Sequence, residues 1–209
     1  VPDSVKINLN GHLPEGVFAK DLALWIIGMI GSSGADYMSI EYHGTGVETL
    51  TISDRMVLSN LASEMGAKNA VFPADEVLEQ YLGNKPEGIW SDPDAEYLKE
   101  ITIELGSVFP VVAAPHHVDN VKAVAEVRGT KIHQGLIGTC TNGRLQDLRE
   151  AAAVLKGKKI PRFMQLQIIP ASKDIFIQAM QEGLIGIFME AGAKDRKSTR
   201  LNSSHRIRS

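Results

Sequence analysis

Residues 132–155 read IHQGLIGTCTNGRLQDLREAAAVL, in which a strand, a tight loop and a helix follow one another directly. The apolar run 132–138 predicts a strand, and the Ala- and Leu-rich run 145–155 predicts a helix. Glycine and polar side chains fill the loop between them. A strand that leads at once into a helix is typical of α/β folds with parallel sheets.

The same alternation continues on both sides of this stretch. It predicts an α/β fold with mostly parallel sheets. A loop rich in Gly and Pro, at 83–93, lies near the expected domain boundary. The other strands are predicted at 5–10, 38–42, 69–72, 102–105, 108–113 and 164–169, the other helices at 20–30, 51–65, 75–82 and 173–181, and a further element at 184–191.

The composition is that of a globular protein, with 44% apolar and 22% charged residues among 209. The longest apolar run, 22–30, is far shorter than the about 20 residues that span a membrane. Residues 1–11 lack the basic and apolar parts of a signal peptide. A single cysteine cannot form an internal disulfide, which suits a cytoplasmic protein. The net charge of −3 argues against broad binding to nucleic-acid phosphates.

Residues 195–209 read DRKSTRLNSSHRIRS and show neither helical nor strand periodicity. Five of the 22 basic residues lie there, so a disordered tail that touches nucleic acid is one interpretation. The run 195–205 also resembles the translation of a sequencing-adapter oligonucleotide. We therefore interpret 195–209 as a non-native tail and exclude it from the fold prediction.

Cys140 lies at the C-terminal edge of a predicted strand and just before a predicted helix. Ligands bind at this edge of open α/β sheets, and the partial positive charge of a helix N-terminus stabilises a thiolate. On the residues alone, the loop suits a nucleophile, a metal ligand or a phosphate-binding site. A buried, inert cysteine is an equally good interpretation.

The run 137–144 (IGTCTNGR), followed by Asp147, resembles the first cluster-ligand motif of aconitases and isopropylmalate isomerases. The resemblance implies that Cys140 is one of three thiolates holding a [4Fe–4S] cluster, with Thr141 and Asn142 beside it. The other two thiolates come from a Cys-x-x-Cys pair farther along in this family, and this chain has no second cysteine. We therefore expect an internal fragment of a large subunit, with three-layer α/β/α domains.

Two further runs carry the same resemblance. Residues 40–47 (IEYHGTGV) resemble a strand and turn of these enzymes, and residues 60–67 (NLASEMGA) resemble a stretch that supplies active-site groups. Asn60 and Glu64 are four residues apart, so a helix would place both on one face. The resemblance implies that Asn60 hydrogen-bonds near the cluster and that Glu64 binds the hydroxyl or water on the exposed iron. Without it, a solvated helix face is the commoner explanation.

Arg144 is a candidate for binding a substrate carboxylate, because a guanidinium matches that group. Pairing with Asp147 is an equal alternative. The adjacent His116 and His117 suggest a metal site, but no third ligand lies at a usable spacing, so ordinary loop histidines are favoured. His43 follows a predicted strand at a Gly-rich turn and could line the site.

The resemblance implies an iron–sulfur hydro-lyase that removes and re-adds water on a hydroxy-acid, such as 2-isopropylmalate to 3-isopropylmalate in leucine biosynthesis. The iron that has no cysteine ligand would activate the departing hydroxyl, and Glu64 would help to protonate it. In the family that this chain resembles, the base that removes the carbon-bound proton is a serine on a swivelling domain. That domain is often a separate small subunit, which we expect as the partner. The substrate would be a small hydroxy di- or tricarboxylic acid.

The expected domains are 1–103, which resembles the second domain of these enzymes, and 104–194, which resembles the start of the third, cluster-binding domain. Homoaconitase, aconitase and 2,3-dimethylmalate dehydratase are alternatives within the family. A non-catalytic α/β scaffold with a structural Cys140 is an alternative of another class.

Overall fold

A computed structural model describes residues 2–139 and 141–195, leaving aside the side chain of Asp195. Cys140 and residues 196–209, which make up almost all of the predicted tail, lie outside the described residues. The chain divides into two compact units, Val1–Arg128 and Gly129–Ser209.

The first unit is built on a four-stranded parallel sheet with the strand order β3-β2-β1-β4. Alternate residues of the central strand, Val5, Ile7 and Leu9, are fully buried, because successive side chains of a strand point to opposite faces. The strands are β1 (Ser4–Asn10), β2 (Ser39–His43), β3 (Asn69–Val71) and β4 (Lys99–Glu104), and the helices are α1 (Ala19–Ile30), α2 (Ile52–Leu61) and α3 (Glu76–Leu82).

The helix α1 supplies much of the core of this unit. Leu22, Ile26 and Ile27 are spaced along one side of it and are fully buried. Its first turn is capped by Asp21, whose carboxylate accepts the backbone N–H of Phe18 at 2.9 Å. The amphipathic pattern that predicted this helix therefore also identified its buried side.

A hairpin of two antiparallel strands, β5 (Val111–Ala113) and β6 (Val121–Ala123), packs on α1. A Cβ atom on Gly28 of α1 would lie 2.9 Å from Val121 Cβ, so glycine permits this close approach. Asp21 also accepts the backbone N–H of Val111 at 2.9 Å. Residues 104–128, which belong to the expected domain 104–194, lie in the first compact unit.

The second unit has a three-stranded parallel sheet with the order β7-β8-β9. Leu148 of α4, Ile168 of β8 and Phe188 of α6 lie in its buried core. The strands are β7 (Gln134–Gly138), β8 (Gln165–Ile169) and β9 (Lys194–Asp195), and the helices are α4 (Leu145–Leu155), α5 (Lys173–Gln181) and α6 (Leu184–Ala191). Asp195, the first residue of the predicted tail, pairs with Ile168 as part of the sheet.

The predicted α/β class with mostly parallel sheets is confirmed. The helix predicted at 51–65 is shorter, because α2 ends at Leu61 and a turn of 3₁₀-helix, Ala62–Met65, follows. The strand predicted at 108–113 is reduced to β5, and β6 and β9 had not been predicted. None of the helices in the described part of the chain has the length and apolar character that a membrane crossing requires.

Candidate functional site

The loop between β7 and α4 is pressed against the end of β8. Gly138 and Gly143 have φ angles of 135° and 90°, which favour glycine. A Cβ atom on Gly143 would lie 2.6 Å from the carbonyl oxygen of Ile169, and Ala171 donates its N–H to the Gly143 carbonyl at 2.9 Å. The two glycines therefore allow the described residues on either side of Cys140 to approach the carboxyl end of β8 closely. The carboxyl end of a parallel sheet is where α/β proteins bind ligands.

Cys140, the predicted cluster ligand, lies outside the described residues. Its neighbour Thr139 has a φ of 86°, in a region that non-glycine residues rarely adopt. Such a conformation is kept only where the surrounding structure imposes it, and it occurs preferentially at functional sites. Thr141, predicted to lie beside the cluster, takes part in a polar interaction of its own.

Asp147 organises the second half of this loop, which we name the 141–144 loop after its residues. Its Oδ2 accepts the backbone N–H groups of Gly143 and Arg144, each at 2.9 Å. Its Oδ1 accepts the side-chain amide of Asn142 at 3.2 Å. Asp147 is the third residue of α4, so its carboxylate also lies at the positive end of that helix.

Arg144 is partly buried, and its guanidinium forms no ion pair with any described residue. Its Nε is buried without a hydrogen-bond partner in the described part of the chain, and so is Oδ1 of Asn142. Of the two alternatives for Arg144, the side-chain pair with Asp147 is absent from the described contacts, because Asp147 is engaged with the backbone instead. An unpaired guanidinium next to a ligand-binding edge can bind a carboxylate.

Asn60 and Glu64, the predicted catalytic pair, lie in the first unit on two different kinds of helix. Asn60 belongs to α2, and Glu64 belongs to the 3₁₀ turn that follows. Side chains three apart align in a 3₁₀-helix, so the four-residue spacing does not fix a shared face as it would in a longer α-helix. Both residues are exposed. The Ser63 hydroxyl donates to the Asn60 carbonyl at 2.8 Å, and Asn60 takes part in a further interaction.

A second polar group, which the sequence did not predict, lies on the polar face of the first sheet. We call it the Tyr97 cluster, and it consists of Glu41, His43, Ser91 and Tyr97. The Tyr97 hydroxyl lies 2.8 Å from Glu41 Oε2, 2.9 Å from Ser91 Oγ and 3.4 Å from His43 Nε2. Burial and the neighbouring carboxylate of Glu41 raise the pKa of Tyr97.

Glu41 and His43 are two residues apart in β2, so their side chains lie on the same face of the sheet. This spacing was the available sequence signal for the Tyr97 cluster. The indole ring of Trp90 lies 4.9 Å from the imidazole of His43, centroid to centroid. Because Trp90, Ser91 and Tyr97 all precede β4, their approach to β2 depends on tertiary structure that no local pattern reveals. The contacts fasten the segment before β4 to the sheet.

Within residues 2–139 and 141–195, no three His, Cys, Asp or Glu side chains are placed so as to hold a metal ion. His116 and His117 therefore remain without a third ligand among the described side chains. The chain contains one cysteine, so it cannot by itself supply the three thiolates expected for an iron–sulfur cluster. The residues present fit one ligand position of such a cluster and no more.

Comparison with known proteins identifies the family. A profile described as "Aconitase family (aconitate hydratase)" matches residues 1–130 and 121–199. The chain is 46% identical, over 92% of its length, to 3-isopropylmalate dehydratase large subunit 2 of Archaeoglobus fulgidus. The same identity and coverage relate it to the probable methanogen homoaconitase large subunit of Methanosarcina mazei and the homoaconitase large subunit of Thermus thermophilus.

These matches cover 47%, 50% and 46% of the three relatives, so the chain spans about half the length of the curated relatives it matches. The two family matches together cover all of residues 1–199 and include the loop that contains Cys140. The chain belongs to the aconitase family.

Proposed function

We propose that the whole protein is a [4Fe–4S]-dependent hydro-lyase that converts 2-isopropylmalate to 3-isopropylmalate by removing and re-adding water. The observation that carries the proposal is the 138–144 loop, which combines the family's cysteine motif with a strained, backbone-pinned turn at the carboxyl end of a parallel sheet. The large-subunit names of the relatives support this substrate class.

Cys140 supplies one thiolate of the cluster in this proposal, and Thr141 and Asn142 lie beside it. The other two thiolates belong to parts of the whole protein that this chain does not include. The cluster, when bound, supplies a Lewis acid for the departing hydroxyl group. Residues 1–103 and 104–194 correspond to the second domain and to the start of the third, cluster-binding domain of the family.

Arg144 binds a carboxylate of the substrate in this proposal. Its guanidinium is partly buried and lacks an ionic partner among the described residues, which favours the capture of an anion from solution. Unlike lysine, arginine offers two parallel N–H groups to one carboxylate and so also fixes its orientation. This arrangement suits the small hydroxy di- or tricarboxylic acids on which the family acts.

Glu64 donates a proton to the leaving hydroxyl, and Asn60 hydrogen-bonds near the cluster. The side chain of Glu64 is exposed in this chain, so it can reach a ligand without first breaking a buried contact. The base that removes the carbon-bound proton lies on a small swivelling subunit, which is the proposed partner. We place the enzyme in the cytoplasm and expect no nucleic-acid or membrane partner.

The test is an activity assay on the whole large subunit, co-expressed with its small subunit and purified without oxygen. We expect 2-isopropylmalate to be converted and Glu64→Gln to lower kcat by about 100-fold or more, because general acids typically contribute that much. Glu79→Gln, on the exposed side of α3, serves as the matched control and should leave kcat unchanged.

A second candidate is a homoaconitase, because two relatives with that name are as similar to this chain as the isopropylmalate dehydratase is. Homoaconitate, citrate and 2,3-dimethylmalate are therefore assayed beside 2-isopropylmalate. Higher kcat/KM with one of them would replace the substrate but keep the reaction class. A whole protein that converts none of them would instead support a non-catalytic scaffold.

A further inference from the structure

We infer that Asp147 is a positioning residue that holds Asn142 and Arg144 in the arrangement that binds the substrate. The inference rests on the proposed function, in which Arg144 receives a substrate carboxylate. Asp147 itself need not touch the substrate. Its effect is exerted through the 141–144 loop, to which three hydrogen bonds of its carboxylate run in the described part of the chain.

The three hydrogen bonds use both carboxylate oxygens of Asp147. Oδ2 accepts two consecutive backbone N–H groups, of Gly143 and Arg144, and this fixes the direction in which the Arg144 side chain leaves the loop. Oδ1 accepts the amide of Asn142, and since an ionised carboxylate can only accept, this also fixes which end of the amide points to Asp147. One side chain thus determines the orientation of two proposed site residues.

The loop is held from its other side by the backbone of β8 and the residues after it. Ala171 donates its N–H to the Gly143 carbonyl at 2.9 Å, and the Ile169 carbonyl lies so close to Gly143 that no side chain fits there. The peptide at Gly143 is therefore clamped between Ala171 and Asp147. Without Asp147, only the Ala171 side of this clamp would remain, and the N–H groups of Gly143 and Arg144 would lose their acceptor.

Asp147 also determines which N–H groups near the start of α4 can bind an anion. Its carboxylate accepts the N–H groups of Gly143 and of Arg144, the N-cap residue just before α4, so neither of these two N–H groups is available to an anion. The guanidinium of Arg144 forms no ion pair within the described part of the chain. Arg144 is therefore the cationic group at the start of α4 that we assign to a substrate carboxylate.

An aspartate in the first turn of a helix does not make such contacts by default. Asp174 lies in the first turn of α5, is exposed, and forms no side-chain hydrogen bond within the described part of the chain. In α5 the cap is Ser172, whose hydroxyl accepts the N–H of Ile175 at 3.2 Å. Asp147 shares the contact to the N-cap N–H with Asp21 of α1 and Asp54 of α2, which occupy the same third position of their helices. It differs from them in also accepting from the Gly143 N–H and the Asn142 amide, and these two contacts hold the 141–144 loop.

The experiment is a double-mutant cycle in the whole large subunit with its small subunit, assayed with 2-isopropylmalate. If Asp147 acts through Arg144, Asp147→Ala should raise KM by about 10-fold, the effect of losing a charged hydrogen-bonding partner. The double variant Asp147→Ala, Arg144→Ala should then be no worse than Arg144→Ala alone, because the two changes remove one interaction. Asp174→Ala is the matched control and should leave KM unchanged.

The isosteric variant Asp147→Asn guards against a simple loss of folding. Its carbonyl oxygen still accepts the backbone N–H groups, and the Asn142 amide can turn over to accept from the new amide. We expect its KM to stay within about 3-fold of the wild type, well below that of Asp147→Ala. A purely structural role of Asp147 would not give both results, namely a near-normal KM in Asp147→Asn and a double variant that is no worse than Arg144→Ala.

Hydrogen exchange on the cluster-free protein gives a readout independent of activity. Asp147→Ala should accelerate exchange of the amides of Gly143 and Arg144, whereas Arg144→Ala should not. Unchanged exchange in Asp147→Ala, or additive effects on KM in an active enzyme, would overturn this inference alone. A wild-type protein without dehydratase activity would refute the proposed function, and this inference with it.

Discussion

At the scale of single residues, Arg55 is the only charged side chain buried among the described residues, and it is 4% exposed. Its guanidinium donates to both oxygens of Asp75, at 2.8 and 2.6 Å, and to the carbonyls of Val47 and Leu50. A buried charge is tolerated only when it is paired and its donors are satisfied, and this one meets both conditions. Arg55 therefore ties α2 to the N-terminus of α3, which Asp75 caps.

Removing the Arg55 charge should destabilise the fold. Arg55→Met is expected to lower the free energy of unfolding by about 3 kcal/mol, because it leaves the partly buried Asp75 carboxylate without its cation and the Leu50 carbonyl without its side-chain donor. Urea denaturation of the 209-residue chain, followed by circular dichroism, measures this. Arg149→Met is the matched control, since the Arg149–Glu182 pair has similar geometry but is exposed. An equal loss in both variants would contradict the assigned importance of burial.

The Arg55–Asp75 pair also makes the stability of the fold depend on pH in the acid range. Burial alone would raise the pKa of Asp75, but hydrogen bonds and charge from Arg55 and the N–H of Leu78 outweigh it and hold the pKa below its ordinary value. A carboxyl with a lower pKa when folded stabilises the fold above its unfolded pKa of about 3.9, and the contribution is lost as pH falls through the folded value. Stability should therefore fall below about pH 4, and Arg55→Met should flatten that fall.

The role of Arg55 could not be predicted from the sequence. The partner of Arg55 is Asp75, which lies 20 positions farther along the chain. The loop around Cys140 was different, because its glycines, its polar residues and the following helix are adjacent in sequence. Local sites can be predicted from local sequence, whereas the Arg55 pair and the Tyr97 cluster require tertiary contacts.

At the scale of elements, α2 shows why helix ends are harder to predict than helix interiors. The sequence predicted a helix over 51–65, whereas Thr51 is the N-cap and α2 runs from Ile52 to Leu61. The Thr51 hydroxyl accepts the N–H of Asp54 at 3.2 Å, and Asp54 accepts the N–H of Thr51 at 3.0 Å, which together form a capping box. The apolar pattern locates the buried side of a helix, while the cap is set by single hydrogen bonds.

This cap predicts a difference between two neighbouring hydroxyl residues. Thr51→Ala should lower the free energy of unfolding by about 1 kcal/mol, the usual value of an N-cap. Ser53→Ala should cost nothing, because Ser53 lies inside the helix without a described hydrogen bond and alanine is the better helix former. Denaturation of the two variants side by side measures this. A larger loss for Ser53→Ala than for Thr51→Ala would contradict the assignment of Thr51 as the N-cap.

At the scale of the whole molecule, the alternation of strands and helices predicted the α/β class but not the limits of the compact units. The resemblance to the family placed a domain boundary between residues 103 and 104, and that boundary stays a prediction. In the structure β4 pairs with β1, almost a hundred residues earlier in the chain, and Leu105, Val108 and Val111 are buried in the same core. Strand partners so far apart in sequence leave no periodic signal, so the sequence pattern alone does not give the limits of the compact units.

The chain spans about half the length of its curated relatives, and this leads to a final prediction about how much iron it can bind. A [4Fe–4S] cluster is held by several cysteine thiolates, and the 209-residue chain offers one. After anaerobic reconstitution with iron and sulfide, followed by desalting, we expect the chain to retain almost no iron. The whole large subunit should retain about four iron atoms per molecule, as the cluster's composition requires.

Cys140→Ser in the whole subunit separates specific from adventitious iron. It should abolish the visible absorption of the cluster, because serine offers no thiolate, while Thr139→Ser, which changes the neighbouring residue but keeps the cysteine, should retain it. Stable incorporation of about four iron atoms by the 209-residue chain itself would contradict the argument, because one thiolate would then suffice. Cluster loss in Thr139→Ser but not in Cys140→Ser would remove Cys140 from the ligand set.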